Sequence, residues 1–265
     1  MESMNFDSIA SVYDDTRVYD EDCFNAVLDF ITARFPPSSY RKLFEPGIGT
    51  GRIAIPFAAR GYDVTGVDIS DEMLNVLSGK LRKNPVPRVT FQKADATHLP
   101  FADGVFDIAV AVHVLHLIRD WKKAMEEVFR VLRPDGPIVF LYTGTGSEIP
   151  DIKVRYRELC AERGYSASHI GMKTAAELDD YVTGIGRRIE RLQDRWRWKI
   201  RLGIDKTLAH MKSHYYSFTN LAPEDVHLQV LKTIEHELTE RYGNLDVEVD
   251  VSIQINLALV LPARG

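Results

Sequence analysis

The sequence predicts an α/β fold: an open, mostly parallel sheet with helices on both faces, an antiparallel last strand and a helical lid. Three observations carry this. From about Lys42 to Tyr142, short β-branched runs alternate with amphipathic stretches, the pattern of βαβ units. A turn with three alternate glycines, Gly47, Gly49 and Gly51, follows the first of those runs directly. The chain then ends in DVEVDVSIQINLALVLP, a long run of strand-forming residues.

Taken in order, the strands fall at RKLFEP, YDVTGVDI, VTFQKAD, FDIAVAVHV and PIVFLYT. Between them GRIAIPFAARG, DEMLNVLSGKLRK and DWKKAMEEVFRVLRP have helical periodicity, with Gly61 and the Pro134–Gly136 turn at helix stops. Pro56 inside the first helix predicts a tolerated kink. Beyond Gly144 the texture changes. Residues 148–183 read as helical through EIPDIKVRYRELCAERG and TAAELDDYV, while RRIERLQDRWRWKIRL alternates charged and large apolar residues as an antiparallel strand does. Residues 205–217 and 223–242 read as helical again, with Pro223 in a first turn. The order of elements places the final strand antiparallel beside PIVFLYT, with 188–200 as its edge partner. One domain results: an N-terminal cap at 1–35, a core at 36–145, a helical lid at 146–182 and 202–245, and C-terminal strands at 183–201 and 246–262.

Composition narrows the function. A chain of 265 residues that is 45% hydrophobic and 27% charged reads as an ordinary globular protein with one substantial core. Its net charge of −5 argues against general nucleic-acid binding. Acids interleave the basic run at 187–201, which reads as a solvated strand face. Two cysteines without metal spacing, no secretory pattern at the start and no apolar run long enough for a bilayer predict a cytoplasmic protein with no membrane insertion and no metal.

The glycine turn sets the chemistry. Glycine lacks Cβ, so the chain turns tightly and lets a ligand touch backbone, and Pro46 keeps Glu45 extended. A dinucleotide fingerprint needs glycine at the sixth position from Gly47; Arg52 stands there, so that match fails. Acids instead tip three successive strands. Glu45 precedes the glycines, Asp68 ends the second strand with the chemistry to hold a ribose diol, and Asp95 ends the third, placed to accept from an adenine amino group. Any one of them also serves as a helix cap or a solvated loop residue; three together point to a ligand.

With FDSIASVYD, FEPGIGTG, GVDIS, KADATHLPFADGVFDIAVAVHVLHLI and RVLRPDGPIVF in that order, residues 6–142 resemble class I S-adenosylmethionine-dependent methyltransferases. The closest likeness is to the small-molecule group that includes quinone-biosynthesis C-methyltransferases. The resemblance implies a Rossmann-like fold, S-adenosylmethionine as cofactor and methyl transfer to a small-molecule acceptor. It implies that Gly47 and Gly49 approach the methionine and ribose portions and that Glu45 orders the amino end. Asp68 would hold the ribose hydroxyls, Ile69 and Met73 would flank the adenine, and Asp95 with the Ala96 amide would read its edge. His113 would lie near the sulfonium, and Tyr13 would help close the pocket. Ile48 stands where the family more often has Gly or Cys, which implies altered packing near the sugar, and His116–Leu117 replaces a common His–His pair.

Methyl transfer needs donor and acceptor held close and water excluded; a general base is required only where the acceptor loses a proton. The sequence leaves that base open among His113, His116, Tyr142, His214, Tyr215 and Tyr216, with Tyr215 and Tyr216 the lid candidates. The segment after the fourth strand reads AVHVL, with neither Asn-Pro-Pro-Tyr nor a cysteine, which favours a small-molecule acceptor. A nucleic-acid or protein methyltransferase on the same core, and a non-catalytic binder of the cofactor, remain the alternatives at this point.

Overall fold

The computed structural model describes residues 6–16, 19–147, 152–166 and 169–263. Two short 3-10 helices at Asp7–Val12 and Asp14–Thr16 lead into α1 (Glu21–Arg34), whose N-cap Asp20 accepts the Cys23 N–H at 2.9 Å. The chain continues as β1 (Lys42–Pro46), α2 (Ala54–Ala59), β2 (Asp63–Asp68), α3 (Asp71–Lys83), β3 (Val89–Lys93), β4 (Ile108–Val112), α4 (Trp121–Val131) and β5 (Ile138–Ser147). After it come α5 (Ile152–Glu162), α6 (Ala175–Gly184), β6 (Arg188–Gly203), α7 (Ile204–Lys212), α8 (Glu224–Tyr242) and β7 (Glu248–Leu261).

The strands make a seven-stranded sheet in the order β3-β2-β1-β4-β5-β7-β6. β1 pairs in parallel with β2 and β4, β2 with β3, and β4 with β5, and the sheet ends antiparallel. The expected insertion of the final strand beside β5, with 188–200 as its edge partner, is what the sheet contains. The register follows from burial. Strand β4 (IAVAV) keeps Ile108 through Ala111 out of water, as a central strand covered on both faces must.

The chain forms two compact units. The first comprises residues 1–142, 170–196 and 255–265; the second comprises 143–169 and 197–254. The first is organised around Phe44, Ala109, Met125 and Ile138. The second has its own core, in which Tyr156, Cys160, Met211 and Val230 are fully buried.

Several boundaries differ from expectation, each for a local reason. Helix α2 spans Ala54–Ala59 rather than 51–61, because Gly51 holds φ at +76° and delays the first turn. Pro56 is its third residue, where backbone N–H groups lack helical partners, so no kink is needed. Strand β3 ends at Lys93, leaving Asp95 in the turn beyond it. Pro223 is the N-cap of α8 rather than a residue of its first turn. Helix α7 stops at Lys212 because His214 turns left-handed at φ +54°. Helix α6, grouped by sequence with the lid, packs in the first unit, burying Leu178 and Val182 in its core. Helix α1, grouped with the N-terminal cap, buries Val27, Leu28 and Ile31 completely, as a core helix does. The expected helix start at 148–151 lies outside the described residues.

Candidate cofactor-binding cavity

The strand order reverses between β1 and β4, the place where open α/β sheets bind ligands. A cavity lies there with about 870 Å³ of empty space, its open mouth included, lined wholly by residues of the first unit.

Its floor is the glycine turn. Gly47, Gly49 and Gly51 all have positive φ (+72°, +53° and +76°), which side-chain-bearing residues adopt only at a cost. The amides at the start of this turn are bonded within the fold. Gly47 and Ile48 donate to the Val67 carbonyl at 2.8 and 2.9 Å, and Gly49 donates to Asp68 Oδ2 at 2.9 Å. The turn is thus stitched to β2 and offers a ligand bare backbone surface. A Cβ on Gly47 would come within 2.7 Å of Val114 Cγ2, whereas one on Gly49 would meet only ordinary contacts with Met73 and Asp68. Ile48 lies over Gly66 of β2, filling the space that a Cβ there would need, so its packing is against the sheet.

Three carboxylates line the cavity: Glu45, Asp68 and Asp95. Glu45 is 2% exposed, and its Oε2 is buried with no hydrogen-bond partner among the described residues. Burial pushes its carboxyl well above the ordinary carboxylate value, opposed by the Arg52 charge and reinforced by Asp68. Burial also raises Asp68, while N–H donors from Ser70, Gly49 and Ile69 pull it back and the Asp7 charge adds to the rise. Asp95 accepts from the Thr97 N–H and hydroxyl, both at 2.9 Å, so it also orders its own turn.

The other expected residues are here too. Ile69, Met73 and Ala96 line the wall by β2 and β3, and His113 lies just past β4 with φ +49°, a left-handed conformation costly for histidine. Tyr13 reaches the cavity from the N-terminal segment together with Phe6, their rings 5.6 Å apart.

The base candidates are divided between the two units. His116 sits in a 3-10 turn at Leu115–Leu117, its ring 6.4 Å from that of His113. The Tyr142 hydroxyl accepts from Arg191 at 3.0 Å. In the second unit His214 lies between the Thr219 carbonyl (3.0 Å) and Glu224 (2.9 Å), Tyr215 stacks on His210, and Tyr216 stacks on Phe218. Tyr156 and Phe218 belong to the core of the second unit.

Sequence reasoning missed Phe6, Thr50 and Arg52 in the lining. Arg52 lies over the Tyr19 ring at 4.4 Å and donates to its hydroxyl at 3.2 Å. The signal was present, since an arginine directly behind three glycines stands beside whatever the turn holds.

Residues 44–140 match the family model described as a methyltransferase domain. This segment is a methyltransferase domain. Among curated proteins, the chain is 32% identical over 131 residues to the uncharacterized methyltransferase YcgJ of Bacillus subtilis, a match covering 49% of this chain and 51% of that protein. It is 34% identical over 138 residues to a demethylmenaquinone methyltransferase of Clavibacter sepedonicus, covering 52% and 56%. The chain spans about half the length of the curated relatives it matches. The crystal structure of the YcgJ protein superposes with a TM-score of 0.62 at 20% identity, covering 91% of this chain and all of that one, and shares the Rossmann-like methyltransferase fold. No helix among the described residues is long and apolar enough to cross a membrane.

Proposed function

We propose that the chain transfers a methyl group from S-adenosylmethionine to a small-molecule acceptor, leaving S-adenosylhomocysteine. The observation that carries this reading is Glu45: a buried carboxylate oxygen without a partner among the described residues, in a cavity that also presents Asp68 and Asp95. A cationic, hydroxyl-bearing ligand meets all three needs at once. In this reading Glu45 takes an ammonium group, Asp68 takes the ribose hydroxyls, and Asp95 with the Ala96 amide takes the adenine edge. Ile69 and Met73 flank the ring, Gly47 and Gly49 admit the ligand to the backbone, and His113 and Tyr13 close the space around the reacting centre. The bound sulfonium supplies an electrophilic methyl group. The protein's part is to hold the partners in line and keep water out, which is worth about 7–11 kcal/mol when orientation is good. The name of the Clavibacter relative and the apolar lining from Val112, Val114, Leu117 and Ile118 support an apolar or planar acceptor.

The test pairs calorimetry with S-adenosylhomocysteine and a transfer assay using isotopically labelled methyl donor on quinols, phenols and amines. Binding with transfer to one of these supports the reading. Absence of binding overturns the cofactor assignment, and binding with no transfer to small molecules, nucleic acid or protein marks a non-catalytic binder.

A further inference from the structure

We infer that Lys80 is a positioning residue that ties an N-terminal strap, the two 3-10 helices at Asp7–Val12 and Asp14–Thr16, to the glycine turn and thereby sets how fast the cavity exchanges its ligand. Lys80 stands in the last turn of α3, on the face that buries Met73 and Leu77. A lysine at that spacing needs acceptors, and it has two from two different elements. Its ammonium donates to the carboxylate of Asp14 in the strap and to the Thr50 carbonyl in the glycine turn, the latter at 2.8 Å. The Thr50 hydroxyl donates to the other oxygen of Asp14 at 2.6 Å. Lys80, Asp14 and Thr50 therefore close a ring across α3, the strap and the turn.

The ring falls where the backbone most needs it. Thr50 is 2% exposed and stands between Gly49 and Gly51, both left-handed, so the turn is conformationally permissive at that point. Upstream, the strap has a second attachment: Asp7 accepts from the Ser70 hydroxyl, which itself caps α3 by accepting the Met73 N–H at 3.0 Å. Phe6 and Tyr13 lie beside these two attachments and form part of the cavity wall. Ligand exchange requires that wall to move, and the strap moves only when its attachments open. The Lys80–Asp14 pair is the one that salt reaches, because both side chains are about a third exposed (32% and 36%).

The inference uses the proposed cofactor only as a probe. Lys80→Met keeps the apolar stem and removes the ammonium; Lys80→Arg keeps a cation, and Asp14→Asn is an independent cut of the same ring. In ligand-free protein, Lys80→Met and Asp14→Asn should raise amide exchange in 7–16 by about tenfold, the scale of one charge-assisted hydrogen bond, with β1 and β4 unchanged. Dissociation of S-adenosylhomocysteine, followed by stopped-flow fluorescence, should quicken by a similar factor, with Lys80→Arg restoring most of the difference. Raising salt to about 1 M should speed dissociation from wild type and leave Lys80→Met little changed. Wild-type exchange at 7–16 in both variants overturns the inference, as does uniformly faster exchange throughout the first unit, which marks a merely structural lysine. If wild type does not bind S-adenosylhomocysteine, the cofactor reading fails by itself, and the exchange comparison alone decides the role of Lys80.

Discussion

Glu45 holds one carboxylate oxygen away from water and from every described donor. In the ligand-free protein such a group favours its protonated form, and its folded pKa lies above the unfolded value near 4.5. The sign follows: its contribution to stability is complete below that value and is lost as pH rises through the folded pKa. Glu45→Gln removes the liability. The variant should melt at least about 2 °C above wild type near pH 8, on the scale of 1 kcal/mol in a chain of this size, with the gap closing near pH 5. It should also bind S-adenosylhomocysteine about tenfold more weakly, since an ammonium loses its charged partner. Scanning calorimetry at the two pH values and titration calorimetry check both halves; a variant less stable at pH 8 would show that Glu45 serves the fold. Asp68→Ala should weaken the same ligand by about 1.5–3 kcal/mol, and unchanged affinity would remove Asp68 from the ribose role. Glu45 and Asp68 were legible because each ends a short strand-forming run. The ring of Asp14, Thr50 and Lys80 was not, because it joins positions 36 and 66 apart with no periodic pattern to mark them.

The elements were read best where periodicity and a cap agree. Helix α3 was expected at 71–83 and forms there, because Ser70 caps it and Met73, Leu74 and Leu77 repeat on one buried face. Strand β6 forms at Arg188–Gly203 from alternation alone, with Trp196 packed edge-on against Phe30 at 5.2 Å. Reading failed where glycine overrides pattern. The GRIAIPFAARG stretch has helical periodicity, yet left-handed Gly51 confines the helix to six residues. The same turn shows why Ile48 is accommodated: Gly66 on β2 has no Cβ where the Ile48 side chain lies. Gly66→Ala should therefore cost about 1–3 kcal/mol in a wild-type background, the usual penalty for overpacking. In an Ile48→Ala background it should cost much less. A denaturant double-mutant cycle measures the difference, and an interaction energy below about 0.5 kcal/mol would mean the two positions do not share this space.

At the scale of the whole chain, the shifted groups of the two units respond to acid in opposite directions. In the second unit, fully buried His227 shares a 2.8 Å hydrogen bond with the Tyr156 hydroxyl and stacks on His214 at 4.3 Å. Burial first, and then the His214 charge, hold its pKa below the ordinary 6.5, with Glu224 opposing; burial also lowers His169 in the same unit. A depressed histidine contributes stability in full above about 6.5, and that contribution is lost as pH falls through the folded value. In the first unit, Glu45 and Asp68 are raised, so protons favour its folded state. The salt-bridged carboxylates with lowered pKa, Glu127 at about 2, Asp63 and Glu237, titrate below their ordinary values and stay charged across this range. Between about pH 7.5 and 5.5 His227 and His169 are therefore the shifted groups that oppose the fold. Ligand-free protein taken across that interval should lose hydrogen-exchange protection in α5 and α8, corrected for the intrinsic pH dependence of exchange, while β1, β2 and β4 keep or gain it. His227→Gln should flatten the response of α8 even where it lowers its protection at neutral pH. Parallel losses in both units, or a His227→Gln response as steep as wild type, would mean that neither the buried histidine nor the division into two cores governs acid stability.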